Sequence, residues 1–358
     1  MPLETPSPAR AEARARLDRL WQRGTDFFGC RYAILGGAMS WLSERHLVSA
    51  ISNAGGFGMI ACGAMTPALL DTEITETAKR TKQPFGVNLI TMHPDLEALI
   101  DVCLKHRVSH VALAGGLPPG GAITRLKQGG AKVIAFAPAL AIAKRLVRNG
   151  VDALVIEGME AGGHIGPVST AVLAQEILPA ITEVPVIVAG GIGRGDAIAM
   201  FLEAGASGVQ MGSRFVCATE CIAHPNFKKA FIRGAARDAV PSVQLDERFP
   251  VIPVRALANK GTQRFMDKQR MVIDQFNRGE LTQQAAQLEI EHFWAGALRR
   301  AAIDGDIENG SVMAGQSIGL VSREQPVAEI FEELVGQAVD VLARRIRNAA
   351  PADPAPVG

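Results

Sequence analysis

Between residues 32 and 211 the chain repeats one pattern: a short apolar run, a stretch at helical spacing, then glycine. Residues 108–113, 132–136, 152–156, 184–189 and 208–211 read as strands built from Val, Ile, Leu and Ala. Residues 123–128, 138–149, 170–180 and 196–203 read as the helices between them. Gly129-Gly130, Gly150 and Gly205 stop three of those helices. A glycine after a helix adopts the left-handed cap that turns the chain back. Strands with so few polar residues must be buried on both faces, as in a parallel sheet flanked by helices. Residues 32–35, 57–61 and 85–90 complete a count of eight strand–helix alternations. Eight predicts a closed (β/α)8 barrel, an α/β TIM barrel of about 250 residues. An open doubly wound sheet is the alternative.

The rest of the chain divides around that repeat. Residues 1–25 read as an N-terminal tail and short helix, and 26–219 as the barrel core. After Cys217 the strand pattern stops, and 220–305 reads as a mostly helical insertion or lid, with helices over 228–238, 262–277 and 282–301. Residues 306–350 form a C-terminal segment with a closing helix over 327–348, and 351–358 a disordered tail. Ser43 is expected to cap a helix running to Ala54.

Composition excludes several classes. Lys+Arg is 37 against Asp+Glu 36, a formal charge of +1, so nothing pulls the whole protein toward nucleic acid or an anionic membrane. No apolar run approaches the roughly 18 residues of a membrane span. The five cysteines, Cys30, Cys62, Cys103, Cys217 and Cys221, form no C-x-x-C pair. An odd count without metal spacing argues against a zinc site or disulfide framework, and with no secretory signal it suits reduced thiols in a cytoplasm.

Barrels keep their chemistry on the loops at the C-terminal ends of the strands. Residues 157–166 are such a loop, with four glycines, Glu157, Glu160 and His164. His164 is its only side chain that titrates near neutrality unperturbed. A phosphate often sits on the loops after strands seven and eight, where Gly190-Gly191 and Gly212-Ser213-Arg214 offer backbone amides. Arg214 adds a possible charge there. Strand one ends in Gly36-Gly37-Ala38-Met39, and Asn88 is an amide in an otherwise apolar strand. Lys228, Lys229, Arg233 and Arg237 form a basic group that is either solvated or a dock for an acidic partner.

Six motifs in order, Gly36 to Met39, Asn53 to Gly58, Phe85 to Asn88, Glu157 to Gly166, Ala189 to Ile192 and Gln210 to Phe215, resemble the nitronate monooxygenase family, which includes the flavin-dependent enoyl-ACP reductases II. The resemblance implies FMN as cofactor. It implies flavin contacts from Gly37, Met39, Asn88, Glu157, Gly162, Gly191, Gln210, Met211, Gly212 and Ser213, and makes His164 the catalytic residue nearest the substrate. It implies oxidation of alkyl nitronates with O2 to a carbonyl compound and nitrite. Glu157 departs from the glutamine common in the monooxygenases; with Gly310 to Gln316 it looks more like the enoyl reductases. Under that alternative, NAD(P)H reduces an enoyl thioester or free flavin, and acyl carrier protein docks on the basic group. A non-catalytic barrel holding a phosphate ligand is a further alternative.

Overall fold

The computed structural model describes residues 7–249 and 253–349. Residues 351–358, expected to be disordered, lie outside that range. Eight parallel strands form the barrel: β1 (Ile34–Gly36), β2 (Gly58–Ala61), β3 (Phe85–Ile90), β4 (His110–Ala114), β5 (Lys132–Phe136), β6 (Ala153–Glu157), β8 (Val186–Ala189) and β9 (Gly208–Met211). Neighbours pair in chain order, and β9 returns to β1 with Leu35 opposite Gln210. The last seam, β1 to β2, closes through Gly36 N donating to Phe57 O and Phe57 N to Ile34 O, each 3.0 Å. The open sheet is excluded.

Strand alternation sorts the side chains into two layers. Leu35, Phe57, Met59, Ala112, Ile134, Ala153, Val155, Ile187 and Ala189 fill the barrel, all buried. Their neighbours, such as Val87, Val111, Leu154 and Val209, face the helices. The N-terminal end is plugged by the helix Gln22–Phe28. Phe27 and Phe28 pack around His110, whose Nε2 lies 2.9 Å from Phe27 O. Burial pushes the His110 imidazole down to about 4. With that end sealed, a ligand can enter the barrel only from the other.

After β9 the chain leaves the barrel and returns as the helix Val327–Ala349. This helix takes the eighth outer position. Gly195 packs so closely on it that a Cβ there would lie 2.0 Å from Leu334 O, and Phe331 stacks on Tyr32 and Phe215. The excursion between carries the helices Lys260–Asn277 and Gln283–Ala302 on their own core of Phe249, Phe265, Val272 and Ile290. It also holds strands that sequence reading does not predict: β10 (Ala239–Pro241) and β11 (Val254–Leu257). With β7 (Gly163–His164) they form an antiparallel sheet in the order β10-β11-β7. The helix expected over 228–238 ends at Arg233, and a 3-10 turn at Ala236–Asp238 follows.

Candidate active site

The pleat decides which polar side chains enter the barrel. On β6, Ala153 and Val155 point inward, so Glu157 does too, at the open end. On β9, Val209 and Met211 face the helices, leaving Gln210 inward. On β3, Val87 and Leu89 face the helices, leaving Asn88 inward. Three polar groups therefore meet an otherwise apolar interior near its mouth. The register joins two of them: Glu157 lies opposite Ala189, and Ala189 opposite Gln210.

None of the three is satisfied by protein. Asn88 is 5% exposed and Gln210 6%, and Asn88 Oδ1 and Gln210 Oε1 lack any partner among the described residues. Leaving a buried amide oxygen unpaired costs about 1–3 kcal/mol, so such groups mark a place for a ligand. Glu157 lines the mouth half-buried, with no charge or hydrogen bond among the described residues to offset its desolvation, which pushes its carboxyl up to about 7.

Four loops and one returning segment interlock around this chamber. Gly37 N donates to Met211 O at 2.8 Å. Ser43 Oγ donates to Gly37 O at 2.9 Å and accepts from Met39 N at 3.0 Å. Ser43 thus braces the β1 loop; the expected cap of helix Arg45–Asn53 is instead Glu44, which accepts from His46 N and Leu47 N. Met39 Sδ stands 3.6 Å from where a Gly212 Cβ would be. Ser213 Oγ accepts from Gly315 N at 3.2 Å, and Gln316 N donates to Glu160 O at 2.8 Å. Gly162 explains itself here: a Cβ would lie 2.5 Å from Gly315 N. Glycine at 162 is required by this backbone crossing.

The β8 loop has the form of an anion cradle. Gly190 (φ 96°) and Gly191 (φ 72°) are both left-handed. Such a turn aims successive amides at one point, a conformation that glycine tolerates. A cavity of about 620 Å³ runs along it, walled by Glu160, Thr170, Phe201, Ala235 and Gln316. Glu160 is held by Thr170, accepting from its N and Oγ1 at 2.9 Å.

Several expected roles change. Arg214 turns away from the phosphate loop: it is 3% exposed and pairs with Glu333 of the last helix and with Gln325. Met211 also turns outward, so only its backbone borders the chamber. His164 is not on a free loop. It is an exposed residue of β7, paired with Val254 of the excursion. Lys228 leaves the basic group; it is buried, donating to Ala218 O at 2.7 Å and Glu324 Oε1 at 2.6 Å. Lys229, Arg233 and Arg237 stay exposed, but Arg237 lies beyond the helix end.

Two residues that sequence reading misses organise this edge. Arg255 on β11 is 2% exposed. Its Nε donates to Met159 O at 2.8 Å and its Nη1 to Ala239 O. Its one signal was an arginine inside the apolar run Val254-Arg255-Ala256-Leu257. Trp41 holds φ 69° on the β1 loop, rare for a bulky residue, with the Arg299 guanidinium 5.7 Å from its ring.

The donor set fits a flavin. Two unpaired amide oxygens can meet the polar edge of a ring, and the glycine turn at Gly190-Gly191 can meet a phosphate. A barrel whose open end gathers an acid, unpaired amides and an anion cradle is built as a cofactor-dependent enzyme. The chain belongs to the nitronate monooxygenase family, whose model matches residues 22–99 and 96–337, and it is an oxidoreductase. It is 30% identical over 345 residues to a (3aS,4S,5R,7aS)-5-hydroxy-7a-methyl-1-oxo-octahydro-1H-indene-4-carboxyl-CoA dehydrogenase of Mycobacterium tuberculosis, covering 88% of this chain and 95% of that one. Among solved structures, FabK from Thermotoga maritima matches with a TM-score of 0.81 at 35% identity, covering 92% and 99%. A nitroalkane oxidase from Streptomyces ansochromogenes matches with 0.73 at 26% identity, covering 90% and 99%. Among the described residues no helix is long and apolar enough to cross a membrane.

Proposed function

We propose that the protein binds FMN and uses NAD(P)H to reduce the α,β carbon–carbon double bond of an acyl thioester. The balance is enoyl thioester plus NAD(P)H plus H⁺, giving acyl thioester plus NAD(P)⁺. Bound FMN supplies the two-electron carrier that no side chain can be. Asn88 and Gln210 would orient the ring through their unpaired amides, and the turn at Gly191 with the backbone of Gly212-Ser213 would take the phosphate. His164 stands on the strand that borders the mouth and holds the reacting end of the substrate. Glu160 stays occupied with Thr170 and takes no part.

Glu157 carries the choice of substrate. A carboxyl near 7 is partly ionised at neutral pH. That charge repels an anionic nitronate and leaves a neutral enoyl thioester group unaffected. The likeness to a CoA-thioester dehydrogenase and to FabK supports the same reading. Nitronate oxidation by O2 is the second reading. The family model and the nitroalkane oxidase neighbour favour it, and Met39 and Met159 would wall its small alkyl group. Carrier protein and CoA present the same thioester, and the exposed Lys229 and Arg233 suit an acidic carrier.

Heat release and mass analysis should give FMN; FAD or no flavin contradicts the cofactor assignment. NADPH consumption with crotonyl-CoA under argon, against nitrite formed from propyl nitronate in air, separates the two reactions. Nitrite without thioester turnover would reverse the choice.

A further inference from the structure

We infer that Glu157 is the proton partner of the electron pair: facing the flavin from the chamber wall, its carboxylate takes up one proton when the bound cofactor is reduced and releases it on reoxidation. This rests on the flavin reading above. The placement follows from the pleat, because Ala153 and Val155 alternate into the barrel and Glu157 continues their row. It stands one strand removed from Gln210, on the rung that runs through Ala189. Asn88 and Gln210 are neutral and unpaired, so they can solvate a ring without compensating a charge.

Among the described residues no fixed cation does that work. Just before β6, Asp152 lies toward the plugged end and pairs with Lys127. On β5, Lys132 lies at that same end and donates to Phe27 O. Lys144, Arg145 and Arg148 of the helix Leu140–Arg148, and Glu176 of the helix Thr170–Ile177, are exposed on the outer surface. On the adjoining loop and sheet, Glu160 is bound to Thr170, Arg255 is engaged by two carbonyls, and His164 is exposed on β7. None of them shifts the Glu157 carboxyl, which responds to burial alone.

The balance closes. A hydride from NAD(P)H leaves the chamber one negative charge richer, and one proton taken from solvent onto the Glu157 carboxylate returns the chamber to its starting charge. When the hydride passes to the β-carbon of the thioester, Glu157 releases that proton and the α-carbon gains one. Below the pH at which it titrates in the oxidised enzyme, the carboxyl holds its proton in both redox states. Above it, reduction and protonation are coupled.

The test is the midpoint potential of the bound flavin from pH 6 to 9 in wild type and Glu157→Gln. Above pH 7 wild type should fall more steeply than the variant by one proton per electron pair, about 30 mV per pH unit. The reduced-minus-oxidised infrared spectrum at pH 8 should also gain a protonated-carboxyl stretch that shifts in D2O and is absent from Glu157→Gln. If Glu157→Gln does not retain flavin, Glu157→Asp replaces it: the stretch should persist at a changed frequency. Equal slopes, or no carboxyl stretch in wild type, overturn the inference while leaving the cofactor assignment standing. A protein without flavin absorbance overturns the cofactor assignment itself, and is seen before any potential is measured.

Discussion

Arg255 Nε donates to the carbonyl of Met159 at 2.8 Å, tying the loop that carries the catalytic candidates to a strand that enters the fold nearly a hundred residues later. The same guanidinium also holds Ala239 O, so one buried cation fixes the β6–β7 loop and β10 together. Arg255→Ala leaves both carbonyls unpaired and a void in place of the side chain. It should lower stability by about 2–4 kcal/mol. Urea denaturation measures this. A loss below about 0.5 kcal/mol would mean that water replaces the guanidinium without cost.

His164→Ala should fold, keep its flavin and lose turnover by about 10²–10⁴-fold, the usual contribution of an acid–base group. Its exposure on β7 predicts little change in thermal stability. The backbone pairing of β7 with β11 does not need the side chain. Retained activity, measured as kcat on whichever substrate is turned over, would remove His164 from the chemistry.

Much of the fold was legible because strands buried on both faces must be written in Val, Ile, Leu and Ala, and glycine must follow the helices. The small sheet was not. β7 is Gly-His, β10 ends in Pro241, and their common partner β11 is far along the chain, so no local period records the pairing. Asn88 was legible as a polar residue in an apolar strand, whereas Glu157 read as the start of a loop and Gln210 was singled out by the family resemblance; strand alternation turns all three inward. Arg214 and Lys228 were misread for one reason. A cation looks the same in sequence whether it faces a phosphate, as expected of Arg214, faces solvent or an acidic partner, as expected of Lys228, or is buried, as here, against Glu333 and Glu324.

Gly212 and Gly162 sit on the same interlocked loops but fail differently. A Cβ at 212 meets only the Met39 side chain, its Sδ at 3.6 Å, so Gly212→Asp should fold. Its carboxylate should then expel the cofactor by repelling the phosphate. Gly162→Ala places a carbon 2.5 Å from Gly315 N, so it should lower the melting temperature whether or not cofactor is present. Flavin absorbance per chain and melting curves of both variants check the pair. Full occupancy in Gly212→Asp would contradict its place at the phosphate.

Glu157 also predicts how the cofactor-free protein responds to pH. Its carboxyl is raised from 4.5 to about 7, so the folded state binds its proton more tightly than the unfolded chain. The associated stability is fully present below pH 4.5 and is lost as pH rises to about 7, on the order of 3 kcal/mol. His110, lowered to about 4, acts in the opposite sense over pH 6.5 to 4, so the difference between wild type and Glu157→Gln isolates the carboxyl. Denaturation of both apo proteins from pH 4.5 to 8 should show wild type losing stability relative to the variant. A flat difference would contradict the burial of this acid.

The most direct measurement is anaerobic rapid mixing followed at the flavin band. Holoenzyme reduced with one equivalent of NADPH is mixed with crotonyl-CoA, and in parallel oxidised holoenzyme is mixed with propyl nitronate. Thioester reduction predicts that flavin absorbance returns on mixing with crotonyl-CoA and that nitronate leaves the oxidised enzyme unbleached. A reduced enzyme that stays reduced with the thioester, beside an oxidised enzyme bleached by the nitronate, would contradict it.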